Sequence, residues 1–324
     1  MNQLPGCFYP TEVIFVDDSE IYLQTLALYF ENEIHGIIFR TFSNAATALD
    51  YINQKSCDST NNFWKHEDTF SPNCYALKLN VFSLHEQIYN SNRHKQISAV
   101  IADYDLGHKM GNGLDFCKQI KDKNIHKILF TGQTEHTFVI DAFNAGYINQ
   151  YVHKQNINSL EDVLSIVLHA QNRYFINRTD FLKVALQPQP DFPLAIYSSA
   201  FINYFQEVLN KYNIKEYYLL DAVGSSLLID QQQNVKICIV QNEDQCEANY
   251  LEQKDEVDST ILRQLKSKEA IYFNSHFWNN QSKTSQGFVK ADRIEDSNLK
   301  TNFFCAIIDN PEWIDKHQIK FFER

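Results

Sequence analysis

Five polar side chains in the first half of the chain each lie just after a short apolar run. They are Asp17, Asp18, Asp103, Thr131 and Lys154. In an open parallel α/β sheet, residues just past the carboxyl ends of the strands converge on one crevice, where ligands bind. Three carboxylates, a hydroxyl and an ammonium gathered there fit a site that holds a hard cation and accepts a phosphoryl group.

Each of these residues alone has an ordinary structural explanation. The Asp17-Asp18 pair could simply cap a helix, and a lone Lys154 is usually a solvated side chain. The spacing is the stronger observation, because Asp103, Thr131 and Lys154 are separated by intervals that each fit one helix and one strand. We therefore expect all five side chains at equivalent strand ends on one side of a sheet.

The elements that must position these residues alternate between strand and helix patterns. Apolar runs typical of buried parallel strands occur at 13–16, 36–42, 98–102, 127–130 and 150–152. Helices are predicted after Ser19 and at 44–52, 113–121, 134–144 and from 159 to about 177. Five strands alternating with five helices predict an α/β domain whose five-stranded parallel sheet is doubly wound, with helices on both faces.

One interval is too long for a minimal version of that fold. Two crossovers with their strands need about 45–50 residues, so the segment between Asp18 and Asp103 carries about 35–40 more. The extra residues fall at about 55–96. Two interpretations stay open: an extended second helix with a surface loop, or an interaction arm for a partner or a second copy.

The length of 324 residues predicts two domains. Three prolines within 186–193 mark the boundary, because proline is incompatible with helix interiors. The first domain is predicted at 1–180, a linker at 181–193 and the second domain at 194–324. The second domain shows helices at 199–210 and 247–268 and strands at 216–221, 226–230, 235–241, 270–273 and 303–308. This order predicts an α+β domain with a mostly antiparallel sheet.

Charge and cysteine usage exclude several classes of protein. The formal net charge of -11 argues against nonspecific attraction to nucleic acids or anionic membranes. The seven cysteines have no metal-ligand spacing, which indicates reduced thiols in the cytoplasm. The first residues lack the pattern of a signal peptide, and no apolar stretch approaches the roughly 20 residues that span a bilayer. We expect a cytoplasmic protein with no membrane partner.

The strings around the five polar residues resemble the receiver domain of bacterial two-component response regulators. The matching strings are VIFVDD at 13–18, VIADYD at 100–105, MGNGL at 110–114, ILFTG at 128–132 and YVHK at 151–154. The resemblance covers roughly residues 10–172 and implies a CheY-like, or flavodoxin-like, fold. It further implies that the protein is a phosphoacceptor in a phosphorelay, not an enzyme with an external substrate.

The resemblance also assigns roles to the residues. It implies that Asp103 is the nucleophile that takes a phosphoryl group from a sensor histidine kinase. Asp17, Asp18, Asp103 and the main-chain carbonyl of Asp105 would hold Mg²⁺.

The remaining roles concern the phosphorylated state. The Thr131 hydroxyl and the Lys154 ammonium would bind phosphoryl oxygens after transfer. Tyr151 matches the aromatic switch of the family. Phosphorylation would bias a surface formed by helix four, strand five and helix five, and a phosphorylation-dependent homodimer is expected.

The chain departs from the family pattern at two places. Leu106–Lys109 stands where such receivers usually have Met-Pro, and Gln155 follows Lys154 where the family has a cis-proline. The second departure puts the rigidity of that loop in doubt but not the role of the lysine.

The second domain is less informative. Together with residues 82–90, its segment 216–221 resembles a group of quorum-sensing response regulators, which implies a role in quorum sensing and virulence control. Acidic residues outnumber basic ones after residue 180, no helix-turn-helix pattern is visible, and no enzyme signature occurs. Two hypotheses stay open: a PAS-like sensing or protein-interaction module, or a module that binds a nucleotide or nucleic acid through Lys283, Lys290, Arg293 and Lys300.

Overall fold

The computed structural model describes residues 4–33, 37–55, 88–107, 111–132, 137–158, 160–179, 194–221, 223–275 and 286–322. These residues form two units. The described parts of Tyr9–Asn61 and Ser91–Arg178 make up the first, and the described parts of Met1–Phe8, Asn62–Asn90 and Thr179–Arg324 make up the second. Most of the predicted insertion and the whole predicted linker lie outside the described residues, and the domain boundaries stay a prediction.

The first unit contains a five-stranded parallel sheet. A two-residue strand of the second unit, β1 (Cys7–Phe8), precedes it in the chain. Its own strands are β2 (Thr11–Val16), β3 (Ile37–Phe42), β4 (Ile97–Asp103), β5 (His126–Thr131) and β6 (Gln150–His153). They lie in the order β3-β2-β4-β5-β6, and every neighbouring pair is parallel. The predicted sheet is confirmed, with strand ends within two residues of the predicted ones.

Helices cover both faces of this sheet. They are α1 (Glu20–Glu33), α2 (Ala45–Lys55), α3 (Gly113–Gln119), α4 (Thr137–Asn144) and α5 (Leu160–Arg178). Alternate side chains of a strand point to opposite faces, so Val13 and Phe15 pack with α1 and α5, whereas Ile14 and Val16 pack with α2, α3 and α4. The doubly wound prediction is therefore confirmed. Residues 134–136 of the predicted fourth helix lie outside the described residues.

The second unit is built on an antiparallel sheet of six strands. Its other elements are α6 (Ser199–Lys211), β7 (Ile214–Leu219), β8 (Ser226–Asp230), β9 (Val235–Asn242), α7 (Glu243–Gln253), α8 (Ser259–Ser267), β10 (Ala270–Asn274), β11 (Gln286–Lys290), β12 (Asp292–Asp296) and β13 (Thr301–Asp309). The large sheet has the order β1-β7-β8-β9-β13-β12, and β10 pairs with β11. Phe201 and Phe205 of α6 pack against this sheet. The prediction of an α+β domain with a mostly antiparallel sheet is confirmed.

Two details of the second unit differ from the prediction. The single helix predicted over 247–268 is wrong, because the chain forms α7 and α8 with a break between them. The Asp258 carboxylate accepts hydrogen bonds from the backbone N–H groups of Thr260 and Ile261 and so starts α8 as its N-cap. Strands β1, β11 and β12 were not predicted. Within the residues that the structure describes, we find no helix with both the length and the apolar character to cross a lipid bilayer.

Candidate functional site

The carboxyl edge of the parallel sheet collects all five polar residues that the sequence singled out. Asp17 and Asp18 follow β2, Asp103 ends β4, Thr131 ends β5, and Lys154 comes directly after β6. Asp17, Asp103 and Thr131 are buried, Asp18 is exposed, and about a third of the Lys154 side chain is accessible (31%). The predicted convergence of strand ends is thus present in the fold.

Lys154 joins the carboxylates of two strands. Its Nζ lies 2.9 Å from Oδ2 of Asp17 and 2.8 Å from Oδ2 of Asp103. The lysine begins a short 3₁₀ turn, which His153 caps by accepting a hydrogen bond from the backbone N–H of Gln155 (3.2 Å) at Nδ1. This cap anchors the loop at the position where the family has proline.

Burial and ion pairing act in opposite directions on the pKa values of Asp103 and Lys154. Burial raises the pKa of Asp103 and the nearby Asp17 adds to this effect, whereas the hydrogen bond and charge of Lys154 and the N–H of Asp105 oppose it. Burial alone would lower the pKa of Lys154, but its bonds to Asp103 and Asp17 raise it above the usual value. Lys154 therefore carries its charge at neutral pH and stabilises the anionic form of Asp103.

Three carboxylates in the pocket fit a divalent cation. Asp17, Asp18 and Asp103 each offer an oxygen, and these oxygens all lie within 4.8 Å of one another. Oδ1 of Asp17 accepts a hydrogen bond from the backbone N–H of Ser19 (2.9 Å), which fixes the carboxylate just before α1. An all-oxygen donor set with one solvent-facing member suits Mg²⁺, which prefers carboxylates and keeps several waters.

The loop after β4 is closed by a bridge between Asp105 and Asn112. The backbone N–H of Gly113 donates to the carbonyl of Tyr104 (2.8 Å), so this bond uses the Tyr104 carbonyl and not that of Asp105. Asn112 then caps α3 by accepting a bond from the N–H of Asp115 (2.9 Å). The Asp105 carbonyl as a metal ligand stays a prediction.

Two residues of the site were not assigned a role from the sequence. A Cβ on Gly113 would lie 2.0 Å from the carbonyl oxygen of Asp103, so only glycine allows α3 to approach β4 this closely. Tyr22 lies over the lysine, with Lys154 Nζ 5.6 Å from its ring centroid. Gly113 stood inside a matching string, but nothing in the local sequence distinguished Tyr22.

Tyr151, the predicted switch residue, lies on β6 opposite Leu129 of β5. It is half-buried and packs against the cluster that contains Val139 and Ala142 of α4. The structure thus places Tyr151 against the cluster that includes α4, and its role as a switch stays a prediction.

The strand order, the helices on both faces and the acidic pocket at the carboxyl edge together define the receiver architecture of response regulators. Over almost its whole length, the chain is similar to the solved structure of the Legionella pneumophila response regulator LqsR. The identity is 27%, the TM-score is 0.73, and the match covers 97% of this chain and 94% of that chain. The resemblance to response regulators, and to LqsR over the whole chain, is confirmed.

Two further solved structures match about half of this chain. A CheY-like receiver domain from Methanospirillum hungatei JF-1 is 12% identical, with a TM-score of 0.34 and coverage of 51% of this chain and 96% of its own. The beryllofluoride-activated NtrC4 receiver domain dimer is 19% identical, with a TM-score of 0.33 and coverage of 50% and 98%. No protein-family model and no curated protein matches the chain.

Proposed function

We propose that this protein is a response regulator of a two-component phosphorelay and that Asp103 is its phosphoacceptor. The observation that carries the proposal is the position of Lys154, whose ammonium bonds Asp17 and Asp103 at once across three strand ends. The full-length similarity to LqsR supports the same class of protein.

In the proposed reaction, a carboxylate oxygen of Asp103 attacks the phosphorus of a phosphohistidine on a sensor histidine kinase. The new P–O bond forms as the P–N bond breaks, and the imidazole leaves with the electron pair of that bond. Asp17, Asp18, Asp103 and the Asp105 carbonyl would hold Mg²⁺, which would neutralise charge on the phosphoryl oxygens. Lys154 opposes the rise in the pKa of Asp103 that burial causes and so favours the anionic form before transfer.

After transfer, Lys154 and Thr131 are the groups that would bind the phosphoryl oxygens. Lys154 Nζ already lies 2.8 Å from Oδ2 of Asp103. Thr131 ends β5, one residue past Phe130, which is the register partner of Asp103. A movement of Thr131 toward the phosphoryl group would open space for Tyr151 and so bias the surface around α4.

That surface supports the proposed phosphorylation-dependent homodimer. Ile140 and Phe143 of α4 are 58% and 57% exposed, and Tyr147 after it is 42% exposed. Ile140 and Phe143 are spaced i, i+3 on α4 and so lie on one face of that helix. Together with Tyr147, just past the helix end, they are exposed apolar side chains that a second copy would cover when the switch moves.

The second unit is the proposed output. We favour a sensing or protein-interaction module of the PAS-like type, because its sheet and helices bury an apolar core and its surface is acidic. The alternative, direct binding of a nucleotide or nucleic acid, has weaker support: Lys290, Arg293 and Lys300 are exposed, but the Arg293 guanidinium bonds Asn302. Lys283 lies outside the described residues. By analogy with LqsR, the proposed role is in cytoplasmic quorum-sensing signalling that controls virulence programmes.

Phosphoryl uptake from a small donor tests the proposal. The full chain is incubated with phosphoramidate and Mg²⁺, and phosphoprotein is measured by phosphate-affinity electrophoresis. We expect uptake that EDTA and Asp103→Asn both abolish, together with a shift to a dimer on size exclusion. Uptake that persists in Asp103→Asn would refute the acceptor assignment. An unchanged elution volume would refute phosphorylation-driven dimerisation. Flat nucleotide and nucleic-acid binding curves at low salt would remove the alternative.

A further inference from the structure

Tyr22 lies on the first turn of α1, which begins two residues after the acidic pair Asp17-Asp18. Its backbone N–H bonds the hydroxyl of Ser19 (3.4 Å), which ties this turn to the loop that carries Asp17. The ring is half-buried and lies edge-on to Phe15 of β2 (centroids 5.9 Å apart, 72°) and parallel to Phe130 of β5 (6.4 Å, 13°). The position of the Tyr22 ring is therefore fixed by a helix start and by two strands of the sheet.

Lys154 lies against two of these rings. Its Nζ is 5.6 Å from the ring centroid of Tyr22 and 5.5 Å from that of Phe130. Both distances are within the roughly 6 Å over which an ammonium is attracted to an aromatic face. Its carboxylate bonds to Asp17 and Asp103 use two of the three N–H donors of an ammonium. Two carboxylates and two aromatic rings thus hold the Lys154 ammonium in place.

The anions change during phosphoryl transfer, but the rings do not. When Asp103 becomes an acyl phosphate, its bonded oxygen loses its charge. A cation held by Asp17 would compete with Lys154 for that carboxylate. Burial raises the pKa of the Tyr22 hydroxyl, with Lys154 opposing and the two carboxylates adding to this effect. Tyr22 is therefore neutral at neutral pH, and the attraction of its ring for the ammonium does not depend on the charges of the two carboxylates.

We propose that Tyr22 is a positioning residue for Lys154: its ring holds the ammonium beside the acceptor while the carboxylate partners of the lysine are exchanged for phosphoryl oxygens. The inference rests on the proposed function of Asp103 as phosphoacceptor. Phe130 supplies the second aromatic ring beside the ammonium, but it lies on β5, within the core of the sheet. Tyr22 is therefore the ring that can be replaced without disrupting the sheet.

Substitutions of Tyr22 separate the ring from the hydroxyl. We expect Tyr22→Leu to take up phosphate from phosphoramidate about tenfold more slowly than wild type, within the range of about 3- to 30-fold that the loss of a desolvated cation–π contact produces. Tyr22→Phe keeps the ring and should stay within about twofold of wild type. Tyr29→Leu is the matched control, because Tyr29 is a partly buried tyrosine two turns further along the same helix; its rate should not change.

Two further readouts distinguish positioning from a merely structural role. Mg²⁺ affinity should be unchanged in Tyr22→Leu, because the ring is not a metal ligand. The ¹³Cε resonance of Lys154, assigned with Lys154→Arg, should carry a ring-current shift in wild type and Tyr22→Phe that shrinks in Tyr22→Leu.

The outcomes that overturn the inference are distinct from those that overturn the proposed function. A wild-type rate and an unshifted Lys154 resonance in Tyr22→Leu would refute positioning by the ring. An equal loss of rate in Tyr22→Phe would assign the role to the hydroxyl, and an equal loss of Mg²⁺ affinity would indicate collapse of the pocket. A wild-type chain that takes up no phosphoryl group would refute the proposed function, whereas the Lys154 resonance reports on Tyr22 without phosphorylation.

Discussion

Replacement of Gly113 by alanine tests how closely α3 packs on β4, the strand that carries Asp103. The new Cβ would lie 2.0 Å from the carbonyl oxygen of Asp103 and 2.9 Å from its carbonyl carbon, where real Cβ contacts essentially never fall below 3.0 Å. The helix or the strand must therefore move by at least 1.0 Å (3.0 minus 2.0). The obstacle is the main chain of a central strand, so a flexible side chain cannot absorb the strain.

The expected cost follows from two opposing effects. Overpacking typically costs about 1–3 kcal/mol, and a backbone clash belongs at the upper end of that range. Replacing glycine by alanine also stabilises the folded state by about 0.4–1 kcal/mol, because it lowers the conformational entropy of the unfolded chain. We therefore expect Gly113→Ala to lower the free energy of unfolding by about 2 kcal/mol. The displaced Asp103 should also take up phosphate more slowly.

Urea unfolding of the full chain, followed by circular dichroism, measures this change. Gly132→Ala is the matched control, because Gly132 lies at the same pocket edge but a Cβ there meets no atom of the described residues within 4 Å. Its unfolding free energy should stay within about 0.5 kcal/mol of wild type. The reasoning is refuted if Gly113→Ala is as stable as Gly132→Ala.

The remaining predictions concern charge and burial. Lys154→Met removes the cation that lowers the pKa of Asp103, so we expect that pKa to rise further in a ¹³C carboxyl titration; a fall would contradict the described ion pair. Burial lowers the pKa of His126 from 6.5 to about 4. Neutral His126 therefore contributes to the stability of the folded state above pH 6.5, and this contribution is lost as the pH falls toward 4. Between about pH 7.5 and about pH 5, protonation of the unfolded state should remove about 2 kcal/mol of stability. In urea unfolding, this difference should vanish in His126→Leu, and an unchanged pH dependence would refute it. Tyr51→Phe removes the hydroxyl that donates to buried Glu12 (2.6 Å), which should cost about 1.5–3 kcal/mol in the same assay, since bonds to charged groups are the strong ones; a loss below 0.5 kcal/mol would contradict this.

The first sheet and the five pocket residues could be predicted because parallel strands buried on both faces leave a distinctive sequence signal. Val13–Val16 and Ala99–Ala102 are apolar throughout, as both faces of the strand are covered. The end of each run then places the next polar residue at the carboxyl edge. Local sequence and topology were sufficient for this part of the site.

Other features depend on contacts distant in sequence. Strand β1 has two residues, and its partner β7 lies about 200 positions away, so no local pattern could identify the pair. Strand β12 is largely exposed, and four of its five residues are polar, as is typical of a loop. The break between α7 and α8 contains neither glycine nor proline, and only the N-cap pattern at Asp258 marked it. The contact between Tyr22 and Lys154 also joins residues that are distant in the sequence, so no local pattern could predict it.

Borohydride trapping tests the central claim most directly. The full chain is phosphorylated in the presence of Mg²⁺, reduced and digested, and the peptide that carries residue 103 is sequenced by mass spectrometry. Because hydride reduces an acyl phosphate to an alcohol, we predict homoserine in place of Asp103 in the phosphorylated sample, and unmodified aspartate without donor or with EDTA. Asp17 and Asp18 should be unmodified. Homoserine at one of these positions, or at none of the three in a sample that carries phosphate, would contradict the account.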